Sequence, residues 1–198
     1  MPSVIVPIVE GQSEVESVPL LLRRLIHGQA VFTIEIRRPI RVKRQRVVKP
    51  AELERAVELA AMQPNCRAIL VLLDADDDCP ALLGPDLLHR AQAVRSDLPC
   101  RVVLAKAELE SWFVGSVESL RGCRGIGPEA TSPEAPEEIR GAKGWLTRQM
   151  PVGRTYLEVD DQPALASRVD VEQARQRCDS FDKFVRDVEA IVASVLLD

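Results

Sequence analysis

The chain has 198 residues, a length suited to one domain or one domain with an appendage. Its 46% hydrophobic content excludes disorder as the dominant state, and no apolar run approaches the roughly 18 residues of a membrane span. The net charge is −4, yet Arg37, Arg38, Arg41, Lys43, Arg44, Arg46 and Lys49 stand together with no anion between them. That pattern excludes a general nucleic-acid coat and leaves one segment able to grip phosphate locally.

The five cysteines include no CxxC pair, since even Cys66 and Cys79 are too far apart. Their odd count suggests reduced thiols. The N-terminus MPSVIVPIVEG lacks a basic leader and is broken by Pro7 and Glu10, so it reads as a first strand and a cytoplasmic protein is expected. His27 and His89 are the only histidines, which excludes a His-rich metal site. Neither lies in a recognisable Ser/His/Asp motif.

In chain order, Val4 to Val9 reads as a strand ending at Glu10-Gly11. Ser13 can cap a helix running to about His27, with Val15, Val18, Leu21, Leu22 and Leu25 at helical spacing and Pro19 as a kink. Val31 to Ile36 alternates as a strand, and the basic stretch follows as a ragged hairpin arm. Pro50 opens a helix to about Met62. Ala68 to Leu73 (AILVLL) does not alternate, which predicts a strand buried on both faces, and it runs straight into Asp74-Ala75-Asp76-Asp77-Asp78. A helix over roughly Asp86 to Arg95 and a strand over Arg101 to Ala105 come next. Leu109 to Leu120 reads as helical with a break at Gly115.

Gly122 to Pro136 is a Gly/Pro-rich loop, Glu137 to Gln149 can be helical, and Tyr156 to Pro163 is irregular. Phe181 to Leu196 is a helix whose apolar stripe either covers the sheet or forms a dimer. Strands alternating with helices predict an α/β fold with a mostly parallel sheet of about four strands flanked by helices. Such sheets bind ligands at the carboxyl ends of their strands. There Glu10, Asp74, Glu108 and Glu110 could face one crevice.

Asp74, Asp76, Asp77 and Asp78 place four carboxylates within five residues. Such charges repel unless a cation intervenes, and oxygen donors without histidine or thiolate favour Mg²⁺, Mn²⁺ or Ca²⁺ over zinc. An EF-hand is excluded, because counting from Asp74 puts Cys79 at the glycine position and Pro85 at the final glutamate. A solvated acidic turn that caps the next helix is the plainer alternative. The glycines Gly122, Gly125 and Gly127 do not form GxGxxG, and no Walker A sequence exists. Trp112 and Phe113 read as core or lid residues. The basic segment is either a solvated arm or a phosphate or partner site.

The motif VEGQSE (Val9 to Glu14) resembles the VEGxTE signature of Toprim domains of the overcoming-lysogenization-defect nuclease type. Likewise LLDADDD (Leu72 to Asp78) resembles the Toprim DxD segment. The order strand-Glu-helix-strand-helix-strand-DxD-helix-strand matches a Toprim core over about residues 3 to 110. ELESWF (Glu108 to Phe113), Pro136-Glu137 to Lys143, Tyr156 with Asp161-Gln162-Pro163-Ala164, and Ser180-Phe181 with Phe184 resemble a small family of uncharacterised Toprim-like proteins, domain-of-unknown-function family 4276.

The resemblance implies Mg²⁺- or Mn²⁺-dependent phosphodiester hydrolysis on nucleic acid, in a phage-defence or DNA-repair setting. It implies that Glu10, Asp74 and Asp76 hold the metal, with Glu14 as the added ligand of the nuclease branch and Asp78 as a further one. Ser13 stands where the signature has Thr. A late lysine neutralises the leaving oxygen in such nucleases; Lys106 and Lys143 are the candidates, and Lys143 lies in the motif. The roles of Glu108 and Glu110 stay open, because a helix would point them apart whereas an extended segment would point both to one side. Arg37, Arg38, Arg41, Lys43, Arg44 and Arg46 would anchor the nucleic-acid backbone.

Residues 1–120 would form the catalytic core, with 121–198 a helical C-terminal extension packed on it as one compact unit. The alternative is a partner or sensor subunit of a separate ATPase that cuts nothing alone. Topoisomerase and primase are disfavoured, because the catalytic tyrosine domain and the zinc domain are missing. A phosphatase is disfavoured because the first strand ends in Glu10 rather than in DxDxT. No membrane partner is expected, and an oligomer is compatible with the sequence.

Overall fold

The structure, a computed structural model, describes residues 2–197. It is α/β. Five strands, β1 (Ser3–Val9), β2 (Ile34–Ile36), β3 (Ile40–Arg41), β4 (Cys66–Asp74) and β5 (Cys100–Ala105), form one parallel sheet. The order is β2-β1-β4-β5, with β3 paired to β1 beyond β2. Helices α1 (Glu14–Gly28), α2 (Arg44–Val47), α3 (Glu52–Ala61), α4 (Pro80–Val94) and α5 (Ser111–Gly115) connect and follow the strands. Short 3₁₀ turns at Val117–Leu120 and Pro136–Glu138 lead to α6 (Ala142–Arg148), α7 (Glu158–Ala166), α8 (Val171–Arg177) and α9 (Asp179–Leu197).

The central strand shows why the sequence folds this way. Ala68, Leu70 and Leu72 join a cluster with residues of α1, α5 and α9, whereas Ile69, Val71 and Leu73 join one with residues of α3 and α4. Successive side chains point to opposite faces, so an unbroken apolar run serves both layers. The α9 stripe Phe181, Phe184, Val185, Val188, Ile191, Val192 and Val195 is buried within the chain, covering the sheet. Trp112 stacks on Phe184 and meets Phe181 edge-on, with ring centroids 5.2 and 5.1 Å away.

Several elements differ from the expected ones. No hairpin follows β2. Ile36 and Ile40 both pair in parallel with β1, along the edge that β4 leaves open, so β2 and β3 form one interrupted edge strand. Pro39 lies in the interruption, where its missing N–H is harmless at an edge. The fourth helix begins at Pro80 rather than Asp86, since Pro80 occupies a first-turn position that needs no donor. The expected helix over Glu137 to Gln149 divides at Gly141, which has a φ of 71°. The stretch read as irregular contains α7, which tolerates Pro163 in its interior.

Gly115 tests the packing of α5 directly. An added Cβ there would collide with the Sγ of Cys178. Gly115→Ala should therefore destabilise the fold by about 1–3 kcal/mol, the usual range for overpacking. Adding Cys178→Ala should recover most of that loss. Urea midpoints of the two single variants and the double variant would check this, and additive losses would contradict the contact.

Candidate metal-binding acidic crevice

The register brings the ends of β1 and β4 side by side, Val9 opposite Leu72, so Glu10 and Asp74 emerge at the same end of the sheet. Burial raises the Asp74 carboxyl well above the usual range, and the negative charges of Glu14, Glu110 and Glu10 raise it further. Glu10 is pushed up to about 7 by burial and by Glu14 and Asp76, with Arg44 pulling the other way. Glu110 is likewise pushed up to about 7, chiefly by burial. Glu14 is raised by burial as well. Glu10 and Glu14 on one turn, Asp74, and Glu110 thus come from three segments, and Glu10, Glu14 and Glu110 all act on Asp74. Oε2 of Glu10 is buried with no hydrogen-bond partner among the described residues.

The backbone around the acids is fixed and strained. Asp76 and Ala107 have φ of 51° and 61°, in the left-handed region that non-glycine residues avoid. The Ala75 N–H donates to Ala105 O (2.8 Å) and the Asp76 N–H to Ala107 O (3.0 Å), which ties the two loops together. Asp74 Oδ1 accepts from the Leu109 N–H at 2.8 Å. Strain of this kind tends to collect at functional sites.

The other candidates fall into distinct places. The carboxylate of Glu14 turns back on the loop, accepting from the N–H groups of Glu10 (2.9 Å) and Gly11 (2.6 Å) through Oε2. The cap expected of Ser13 is absent, since its side chain makes no cap hydrogen bond, and Glu14 binds the loop before the helix rather than the helix end. Asp78 pairs with Arg44, and the Arg44 Nε lies 3.8 Å from Asp76 Oδ2. Asp77 faces solvent beside Arg140, 3.1 Å away. Glu110 is buried, whereas Glu108 is half-buried at the rim. Among the described residues, no three or more His, Cys, Asp or Glu side chains are grouped so that they could hold a metal ion.

Of the two lysines, Lys143 belongs to the crevice. Its Nζ is 2.5 Å from Glu158 Oε1 and 4.0 Å from Glu108 Oε2. Burial disfavours its charge, but Glu110, Glu158 and Asp74 outweigh that and raise its pKa. Lys106 instead lies in a neighbouring cavity of about 440 Å³ with Asp76, Asp77 and Arg140, its Nζ 3.9 Å from Glu138.

The basic segment divides. Arg38, Arg41, Lys43 and Arg46 are exposed, and Arg41, Lys43 and Arg46 border a cavity of about 470 Å³ together with Arg55. Arg37 is half-buried and donates to Pro64 O at 3.0 Å. Arg44 is buried and directed to the acidic loop. Sequence reasoning missed Glu158, the pairing of Tyr156 and Gln162 with Glu110, and the contribution of Arg55. Only their side chains' long-range contacts reveal them, and sequence spacing does not encode those.

The chain belongs to the family described as a domain of unknown function (DUF4276), which matches residues 9–189. No curated protein and no solved structure matches it.

Without a bound cation, the crevice makes stability depend on pH. The folded state holds the Glu10 proton up to about 7, against an ordinary 4.5, so this contribution is fully present below about 4.5 and is lost as pH rises through about 7. Thermal midpoints of the metal-free protein should fall across that window, with a shallower fall in Glu10→Gln. At pH 8, Asp74→Asn keeps an acceptor for Leu109 and removes a carboxyl whose ionised form is disfavoured by burial and by Glu14, Glu110 and Glu10. It should raise metal-free stability by about 0.5–2 kcal/mol in urea titrations.

Proposed function

We propose that the protein is a Mg²⁺- or Mn²⁺-dependent nuclease that hydrolyses phosphodiester bonds in nucleic acid. The observation that carries this reading is the side-by-side placement of Glu10 and Asp74 at the ends of β1 and β4, where Glu10 Oε2 is buried with no hydrogen-bond partner among the described residues. A buried acceptor without a donor costs about 1–3 kcal/mol, and crowded carboxylates add to that cost. A hard dication relieves both, and the all-oxygen donor set suits one.

Glu10, Asp74 and Asp76 would hold the ion, with Glu14 and Asp78 within reach if their present partners yield. When bound, such an ion lowers the pKa of a coordinated water and offsets charge on the phosphoryl group. The chain's own residues do the rest. Lys143 brings a positive charge into the crevice, placed to offset charge on a leaving oxygen. Arg41, Lys43, Arg46 and Arg55 line a groove with Glu52, which pairs with Arg46 (2.6 Å) and Arg55 (3.2 Å); the groove would bind backbone phosphates without reading bases. Arg38 adds exposed charge on the same edge. The order β1, Glu10, α1, β2, β3, α2, α3, β4, Asp74-Ala75-Asp76, α4, β5 supports the Toprim resemblance apart from the added β3 and α2.

The reading is tested by incubating plasmid with the protein and Mg²⁺ or Mn²⁺. Nicking should appear, and Asp74→Asn and Asp76→Asn should each lower it by more than about 100-fold, beyond what an outer-shell change costs. Nicking that persists undiminished in both folded variants would mark a contaminant. Replacing Arg41, Lys43 and Arg46 by alanine should weaken DNA binding and flatten its log–log salt dependence by about one unit per lost phosphate contact.

A further inference from the structure

A further cavity, of about 390 Å³, lies between α4, β5 and the start of α9 and plays no part in the chemistry above. Ala81, Gly84, Pro85 and Leu88 of α4 form one wall, and Val102 and Leu104 of β5 form the floor. β5 is the edge strand of the sheet, so no further strand closes that side. The volume admits roughly a dozen groups the size of water and lies in the range of small-ligand sites, which are likewise mostly apolar with a few polar groups.

The α4 wall is built from the two residues least suited to a helix interior, Gly84 and Pro85, side by side. Gly84 is buried, and a Cβ added there would meet Leu104 Cδ1 at 4.0 Å, an ordinary contact. Sterics therefore does not demand glycine; its effect is to leave the space open. Pro85 has no N–H, so the Ala81 carbonyl, four residues earlier, loses its usual helical donor. Helix propensity alone favours alanine at both positions.

The polar groups at the cavity select the kind of ligand. Two ammonium groups line it, and each is already engaged. Lys106 Nζ lies 3.9 Å from Glu138, and Lys183 pairs with Asp187 and donates to Val102 O at 3.0 Å. Glu137 is 7% exposed and lines both this cavity and the neighbouring one of about 440 Å³. It accepts from the N–H (3.1 Å) and the hydroxyl of Ser180, both on Oε1, and forms no ion pair among the described residues. The neighbouring cavity adds Asp76, Asp77 and Glu108 to the same mouth, with Arg140 opposing them. A carboxylate and a free carbonyl call for N–H donors, and the excess of acids calls for positive charge.

We propose that this cavity binds a small amphipathic amine, its hydrocarbon body against Leu88, Val102 and Leu104 and its ammonium at the Glu137 end. The assignment is independent of metal binding and of phosphodiester hydrolysis.

The test is an NMR titration of the full chain with three ligands that share one hydrocarbon body: hexylammonium, hexanol and hexanoate. Hexylammonium should bind, with hexanol about tenfold weaker and hexanoate weaker still. Gly84→Leu fills the cavity, and Ala81→Leu narrows it from an exposed position. Both introduce a strong helix former, and each should weaken hexylammonium binding by more than about tenfold. Glu137→Gln keeps an acceptor for Ser180 and removes the charge. It should erase the advantage of the amine over the alcohol while hexanol affinity holds. Should Gly84→Leu not fold, Ala81→Leu decides the location; should Glu137→Gln not fold, the three ligands on wild type decide the charge. Equal affinity for the amine and the carboxylate, undiminished binding in the folded wall variants, or no binding of any of the three would each overturn the proposal.

Discussion

Crowded negative charge at one end of a parallel sheet is the constraint around which this molecule is arranged. Parallel strands deliver their carboxyl ends to the same side, and here two adjacent ends carry Glu10 and Asp74. Burial withdraws the water that would screen them. Two cations reach the region, but each is already shared. Arg44 serves Asp78 and approaches Asp76, and Lys143 serves Glu158. The charge deficit around Glu10, Asp74 and Glu110 therefore stands. Amides in place of these acids would remove the repulsion, so the acids are costly to the fold itself.

Much of this was legible in the sequence because it rests on local signals. AILVLL can only be a strand buried on both faces, and its collision with Asp74 marks a strand end whatever the neighbours do. The α9 stripe is equally plain at helical spacing. What stayed hidden depends on contacts between distant residues. Glu110 and Tyr156 are separated by 46 positions, and Glu110 and Gln162 by 52, so no spacing rule links them. Arg44 looked like one cation among seven. The short helix α2 turns its side chain inward while Lys43 and Arg46 stay in solvent. The hairpin expectation failed for a related reason: basic character says nothing about chain reversal, and Pro39 interrupts an edge strand without turning it back.

Lys143 and Lys106 illustrate how tertiary placement separates similar residues. Both are partly exposed and both have acidic neighbours. Lys106 lies near the buried Glu137, whereas Lys143 is held by Glu110, Glu158 and Asp74, which keep its proton firmly against the opposing effect of burial. The ammonium is a fixed charge at neutral pH, suited to electrostatic work and unsuited to giving up a proton.

The loops at the strand ends join stability to chemistry through one side chain. Two backbone hydrogen bonds extend the pairing of β4 and β5 beyond the sheet, through residues forced into left-handed conformations. Such residues hold only where their surroundings over-determine them. Asp74 supplies part of that determination, because its Oδ1 anchors the Leu109 N–H and so sets where the following Glu110 can lie. A single carboxylate oxygen thus holds the loop. Asparagine can reproduce that task, whereas binding a cation requires the negative charge that only aspartate provides. Anchoring the loop and carrying a charge at the strand end are therefore separable by one atom.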